Sequence, residues 1–409
     1  MESRSATGGH ARVPALDGLR GIAVLLVMVY HFSYAGSFSS SPVDAAYARV
    51  SGVGWMGVDL FFVLSGFLIT GILYDSRGRE GYFSSFYARR VLRIFPLYYA
   101  FVLLVLPVAA LVGTPDPAHT LGRLHEHLGW YLGYGVNFML TFYGGWKADI
   151  LSTSHLWSLA VEEQFYLLWP PLVLLLSRRA LIRTSAALAV AALLVRVGLL
   201  LGGAGEVAAF VLPFARMDAL LLGGLVALGV RELGSVAPLA RRAPDVLAVS
   251  GVVAVATLAS APARTSYASP WVQTVGYSAI AVFFAALLVT ALAAPAGSRW
   301  ARLLRAPSLA TLGKYSYALY VFHPMVMMTL QAVGWGPGRF AGLGGTVQLG
   351  VHLGFTAFAA LVSLAVAWLS WNLLERRFLG FKERYATRPR APEPVPVPRR
   401  VTHAAVPSL

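Results

Sequence analysis

Arg20 and His31 stand eleven residues apart in the run DGLRGIAVLLVMVYHF, residues 17 to 32. On a helix, eleven steps of about 100° come to about 1100°, within roughly 20° of three full turns, so both side chains share one face. At about 1.5 Å per residue they sit roughly 16 Å apart along it. Such a helix offers a fixed cation near one end and a general base near the other. A charged or titratable side chain inside a bilayer costs several kcal/mol, which marks both residues as functional candidates.

Three further patches carry polar groups in apolar surroundings. In GVDLFFVLSGFLIT, residues 57 to 70, Asp59 and Ser65 punctuate an apolar helix. Ser65 and Gly66 read as small residues that let helices approach, whereas Asp59 could orient a histidine or pair with an arginine. In FYARRVLRIFPLYY, residues 86 to 99, Arg90 and Arg93 are one turn apart with Arg89 beside them. Such a cluster can be a topology anchor, but guanidinium donors also suit phosphate or diphosphate oxygens. In HLWSLAVEEQFYLLWP, residues 155 to 170, Glu162 and Glu163 are adjacent. Neighbouring helical residues point about 100° apart, so one carboxylate is expected to pair structurally while the other faces the bundle, where it could transfer protons. His323, in LGKYSYALYVFHP, is a candidate of second rank.

The elements that must position these groups are membrane helices. Of 409 residues, 57% are hydrophobic and 12% charged, and mean hydropathy is +0.66. A soluble chain carries about 25% charged residues, so the composition implies an all-α, polytopic bundle. Ten segments are long and apolar enough to span: 14–34, 53–74, 91–113, 157–177, 181–202, 208–230, 244–261, 271–294, 308–332 and 345–373. Arginines gather at alternate ends of these segments, which places both termini in the cytoplasm of a cell (plasma or inner) membrane. The net charge of +15 is spread over helix ends rather than a groove, which argues against nucleic acid. There is no cysteine, so thiolate chemistry is excluded.

The chain divides into a cytoplasmic segment 1–13, a membrane domain 14–378 and a basic, Pro-rich cytoplasmic tail 379–409 expected to be disordered. A cleaved leader is the competing reading of the first 40 residues, ending at Ala35-Gly36-Ser37, but Arg20 and His31 interrupt it. Of the basic residues within the spans, Arg196, Arg216 and Lys314 read as structural charges. Asp218 is a local partner for Arg216, and Lys314 is placed to snorkel. Residues 114–156 form the one long extramembrane stretch, whose aromatic run from Trp130 to Tyr143 suits the interface or a return into the bundle. His125, Glu126 and His127 lack i, i+4 spacing and read as loop residues, not a metal site.

Together these motifs resemble the acyltransferase 3 family of membrane acyltransferases, which includes surface-polysaccharide O-acetylases and macrolide 3-O-acyltransferases. The resemblance runs from LDGLRG at Leu16 to WNLLERRF ending at Phe378, through GVDLFFVLSGFLI, RRVLR before Pro96, LWSLAVEEQFYLLWP and KYSYALYVFHP. It implies transfer of an acyl group, usually acetyl from acetyl-CoA, to a hydroxyl. Family members commonly have ten membrane helices, and the chain resembles the short form without an appended hydrolase-like domain. The acceptor implied is a polysaccharide, peptidoglycan, a lipid-linked sugar or a macrolide.

On that resemblance, Arg89, Arg90 and Arg93 would hold the phosphates of an acyl-CoA donor, with Arg20 deeper in the same path. His31 would be the general base on the acceptor hydroxyl, or would itself form an acyl-imidazole. Glu162, Glu163 or Asp59 would orient His31 or relay its proton. No bound cofactor or metal is required. The rival from another class is a proton-coupled secondary transporter, which would also place His, Arg and Glu inside the membrane, though no pair of interrupted helices in the two halves supports it.

Overall fold

The computed structural model describes residues 13–33, 41–263, 265–340 and 345–385. The segment before residue 13, the tail from 386 and the small residues at 35–37 lie outside the described residues.

Among the described residues the chain is helical without a strand, and each of the ten apolar segments forms a long helix. They are α1 (Pro14–Ser33), α2 (Gly57–Asp75), α3 (Tyr82–Ala100), α4 (Trp157–Leu175), α5 (Arg178–Leu201), α6 (Pro213–Glu232), α7 (Ala237–Ala259), α8 (Tyr277–Ala293), α9 (Pro307–Ala332) and α10 (Gly345–Ser370). Past Ala100, α3 continues through a π turn, Phe101–Val105, into Leu106–Gly113. Proline opens α1, α6 and α9, where the missing N–H would have no helical acceptor.

Among the described residues, eight helical stretches are long and apolar enough to cross a membrane, and the chain is a multi-pass membrane protein. The two helices outside that set are α4 and α9. They carry Glu162, Glu163 and Gln164, and Lys314 and His323, so the polar groups of the candidate motifs are what lower their hydropathy. Large apolar side chains such as Leu194, Leu201, Val249 and Leu361 remain exposed on the outside of the bundle, as a lipid-facing surface requires.

Close backbone contact sets the positions of the helices that matter here. A Cβ on Gly66 of α2 would lie 1.8 Å from the Leu220 carbonyl of α6. One on Gly313 of α9 would lie 1.9 Å from the Asp17 carbonyl of α1. Only glycine permits such approach. The α1–α9 contact extends from Asp17 and Gly313 to His31 and His323, so the two helices are parallel neighbours.

The stretch 114–156 is not a loop. It folds into short helices, Pro117–Glu126, Leu128–Leu132 and Val136–Phe142, so His125 and Glu126 end a helix that His127 caps. The aromatic run returns to the bundle: Tyr134 stacks on Tyr98 of α3 at 4.1 Å, and the Tyr98 hydroxyl donates to the Tyr131 carbonyl at 2.8 Å.

Candidate active site

Two cavities meet inside the bundle. The first gathers Arg20 from α1, Ser65 from α2, Arg90 and Arg93 from α3, and Glu162 and Glu163 from α4, in a space of about 90 Å³. Arg90 and Arg93 face it together because three residues make nearly one turn. The Arg90 guanidinium stands over the rings of Phe86 and Tyr166, at 5.9 and 5.7 Å. Arg20 has Asp17 one turn away, with Nη1 4.0 Å from the carboxylate. Lys382, in the turn Gly380–Tyr385, adds its charge to those of Arg20, Arg90 and Arg93. Cations outnumber carboxylates, and converging guanidiniums of this kind bind anionic oxygens.

Three expectations change at this cavity. Arg89 does not line it; its Nε donates to the Tyr385 carbonyl at 3.0 Å, which ties α3 to the turn after α10. Glu162 and Glu163 both line it, although they point about 100° apart, because the cavity wraps around the first turns of α4. Neither forms an ion pair among the described residues. Ser65 is more than a packing residue: its hydroxyl is hydrogen-bonded to the Tyr166 hydroxyl, and it lines the cavity with Glu162.

The second cavity holds His31 and measures about 340 Å³. His31 Nδ1 lies 2.9 Å from the Val27 carbonyl and 3.2 Å from His323 Nε2. His323 Nδ1 in turn faces the Leu319 and Tyr320 carbonyls at 3.0 and 2.9 Å. Carbonyl oxygens only accept, so His323 carries its proton on Nδ1 and presents a lone pair at Nε2. His31 must then carry its own proton on Nδ1, and His31 Nε2 is left as the free base. The groups orienting His31 are therefore the Val27 carbonyl and His323. Glu162 and Glu163, expected in that role, stand in the other cavity.

A third histidine joins this group. The rings of His155 and His323 are 5.5 Å apart, and His155 Nδ1 and Nε2 lie 3.1 and 3.3 Å from the Ser152 and Val321 carbonyls. His155 was absent from the sequence candidates although it begins the HLWSLAVEEQ motif. Its position two residues before Trp157 was the signal available.

Val58 and Tyr320 line both cavities. Tyr320 is held in place: its hydroxyl donates to the His155 carbonyl at 3.0 Å and lies 2.5 Å from Ser158 Oγ. Val58 and Tyr320 thus stand where the cationic cavity borders the one that holds His31.

Asp59 belongs to neither cavity. Its Oδ1 accepts from Arg216 Nη2 at 2.8 Å, both side chains are buried, and the guanidinium stands 4.2 Å from the Tyr277 ring. Asp218, expected to pair with Arg216, instead takes Arg196 Nη2 at 2.9 Å, with Ser278 bridging the two. The exchange has a geometric cause. Residues two apart on one helix point about 200° from each other, so Arg216 and Asp218 cannot meet, and each finds a partner on another helix.

The family model described as "Acyltransferase domain" matches residues 13–372. The O-acetyltransferase OatA of Staphylococcus aureus (strain NCTC 8325 / PS 47) is 28% identical over 325 residues, covering 76% of this chain and 50% of that protein. The peptidoglycan O-acetyltransferase OatA of Listeria monocytogenes serovar 1/2a is 26% identical over 333 residues, covering 78% of this chain and 50% of that protein. The chain thus spans about half the length of the curated relatives it matches. No solved structure gives a significant match.

Proposed function

The chain belongs to the acyltransferase 3 family, and from that premise we propose that it is a membrane O-acyltransferase moving an acetyl group from acyl-CoA to a hydroxyl of a carbohydrate or glycosylated acceptor. The observation that carries the reading is the meeting of two chemically opposite cavities at Val58 and Tyr320. The cationic one suits the phosphates of CoA. The other holds a histidine whose tautomer leaves Nε2 free.

In this mechanism Arg20, Arg90 and Arg93 hold the donor phosphates, and the pantetheine arm runs along α1 over the roughly 16 Å that separate Arg20 from His31. The thioester comes to rest beside Tyr320. His31 Nε2 takes the proton of the acceptor hydroxyl as its oxygen attacks the thioester carbonyl carbon. The C–S bond breaks, and the CoA thiolate recovers that proton from the imidazolium. His323 accepts the Nδ1 proton's hydrogen bond throughout, which holds the imidazole in the productive tautomer. An acyl-imidazole formed at the same Nε2 is the covalent variant. The names of the staphylococcal and listerial relatives support a glycan as acceptor, and a macrolide belongs in the same test.

Purified protein in nanodiscs, given acetyl-CoA and a panel of glycan and macrolide acceptors, tests the reading through free CoA and acylated product. Acceptor-dependent CoA release that vanishes in His31→Ala supports it. Full turnover by a correctly folded His31→Ala protein overturns the base. Folded wild type that turns over no donor but moves solute with a proton gradient would be a transporter.

A further inference from the structure

The His31 cavity has an aromatic wall that proton transfer alone does not require. Trp55, Trp146, Trp157, Phe210, Tyr267 and Tyr320 line it, each from a different element of the chain. Phe210 is the hub, with ring centroids 5.0 Å from Trp157 and Tyr267, 5.7 Å from Trp146 and 6.0 Å from Trp55. Trp146 lies just past the aromatic run that follows α3, and its indole N–H is buried without a hydrogen-bond partner among the described residues.

Aromatic faces carry partial negative charge, so two ligand classes fit such a wall: a cation, or an apolar face of C–H bonds. The structure separates them. Among the described residues, no carboxylate lines the cavity. The Arg216 guanidinium, paired with Asp59, already stands 5.6 Å from the Trp157 ring and 5.2 Å from Phe210, so these rings already serve one cation. A neutral ligand with one C–H face and a rim of hydroxyls remains. About 340 Å³ falls in the range of about 300–1,000 Å³ usual for small-molecule sites.

We propose that this cavity is the acceptor subsite and binds one neutral pyranose ring, packed against the Trp146, Phe210 and Tyr267 rings with a hydroxyl turned toward His31. The assignment rests on the reading that His31 faces the acceptor. It adds the single ring that the cavity holds and the residues that select it. The buried N–H of Trp146 is a donor for a sugar oxygen, and Ser154, which also lines the cavity, offers a hydroxyl.

Saturation-transfer NMR on the full chain in nanodiscs tests binding without any donor, using chitotetraose and maltotetraose as probes. Wild type should transfer saturation to sugar C–H protons. Trp146→Ala or Tyr267→Leu should weaken binding about tenfold, the loss expected for one aromatic contact, while Trp146→Phe, which keeps an aromatic face and loses only the N–H donor, should weaken it less. Two independent variants guard against one that fails to fold, and the Tyr267 carbonyl that receives the Tyr277 hydroxyl survives in Tyr267→Leu. Wild type that binds neither sugar, or folded Trp146→Ala and Tyr267→Leu proteins that bind as wild type does, overturns the subsite. The two readings fail separately. Sugar binding that depends on Trp146, with no acetyl-CoA turnover, keeps the subsite and removes the transferase. Acetyl transfer to a sugar with an acceptor KM unmoved by Trp146→Ala and Tyr267→Leu does the reverse.

Discussion

His323 Nε2 lies 3.2 Å from His31 Nδ1, joining two histidines that are 292 residues apart in the chain. The carbonyls of Leu319 and Tyr320 fix the proton on the far side of His323, and the pair is thereby an oriented hydrogen-bonded chain that leaves His31 Nε2 unprotonated. The parallel packing of α1 on α9 creates it.

His323 is therefore a positioning residue. His323→Ala should lower kcat about 10- to 100-fold with little change in donor KM, as for loss of other groups that orient a reactive imidazole. His323→Gln, whose side-chain carbonyl can accept the Nδ1 proton, should recover part of the loss. A merely space-filling role would be rescued equally by His323→Leu, and steady-state kinetics of the three variants decide.

Arg90 and Arg93 line the cationic cavity and Arg89 does not. Arg90→Ala and Arg93→Ala should each raise the acetyl-CoA KM about tenfold or more, the worth of one charge-assisted contact, and Arg89→Ala should raise it less. The measurement is KM for acetyl-CoA and for its 3′-dephospho analogue. A variant that has lost its phosphate contact should distinguish the two donors less than wild type does.

The Asp59–Arg216 pair predicts a stability effect. Asp59→Ala leaves a buried guanidinium uncompensated and should cost about 3–5 kcal/mol, whereas replacing both residues by apolar ones, Asp59→Leu with Arg216→Met, should recover most of it. Thermal unfolding in detergent reads both. If Asp59 acted in catalysis instead, the single variant would keep its melting temperature and lose only turnover.

At Gly313, a β-branched side chain would strike the backbone of α1. Gly313→Val should abolish accumulation of folded protein, while Gly350→Ala, at a helical position with nothing within 4 Å, should be neutral or slightly stabilising. Monodisperse yield after solubilisation compares them.

Much of this was legible in the residues. Arg20, Arg90, Arg93, Glu162 and Glu163 were each visible as polar groups in apolar helices, and all five line one cavity. His323 was visible too, but its role was not, because nothing in KYSYALYVFHP names the helix it packs against. His155 went unnoticed because it stands at the edge of its motif, where a polar residue is unremarkable. The pairing of Arg216 with Asp218 was misread from proximity in sequence: two residues apart is close along the chain and nearly opposite around a helix.

The residues by themselves determined the membrane helices, since a run of about 20 apolar side chains must leave water and must satisfy its own backbone hydrogen bonds. They also determined which polar groups face inward, because burying charge against lipid costs too much. Tertiary structure alone decided the division into two cavities, the orientation of His31 by His323 and the exchange of aspartates between Arg196 and Arg216. The helical period sets where a side chain points around its own axis. What it meets there depends on the neighbouring helix, and close approaches such as Gly313 on Asp17 choose that neighbour.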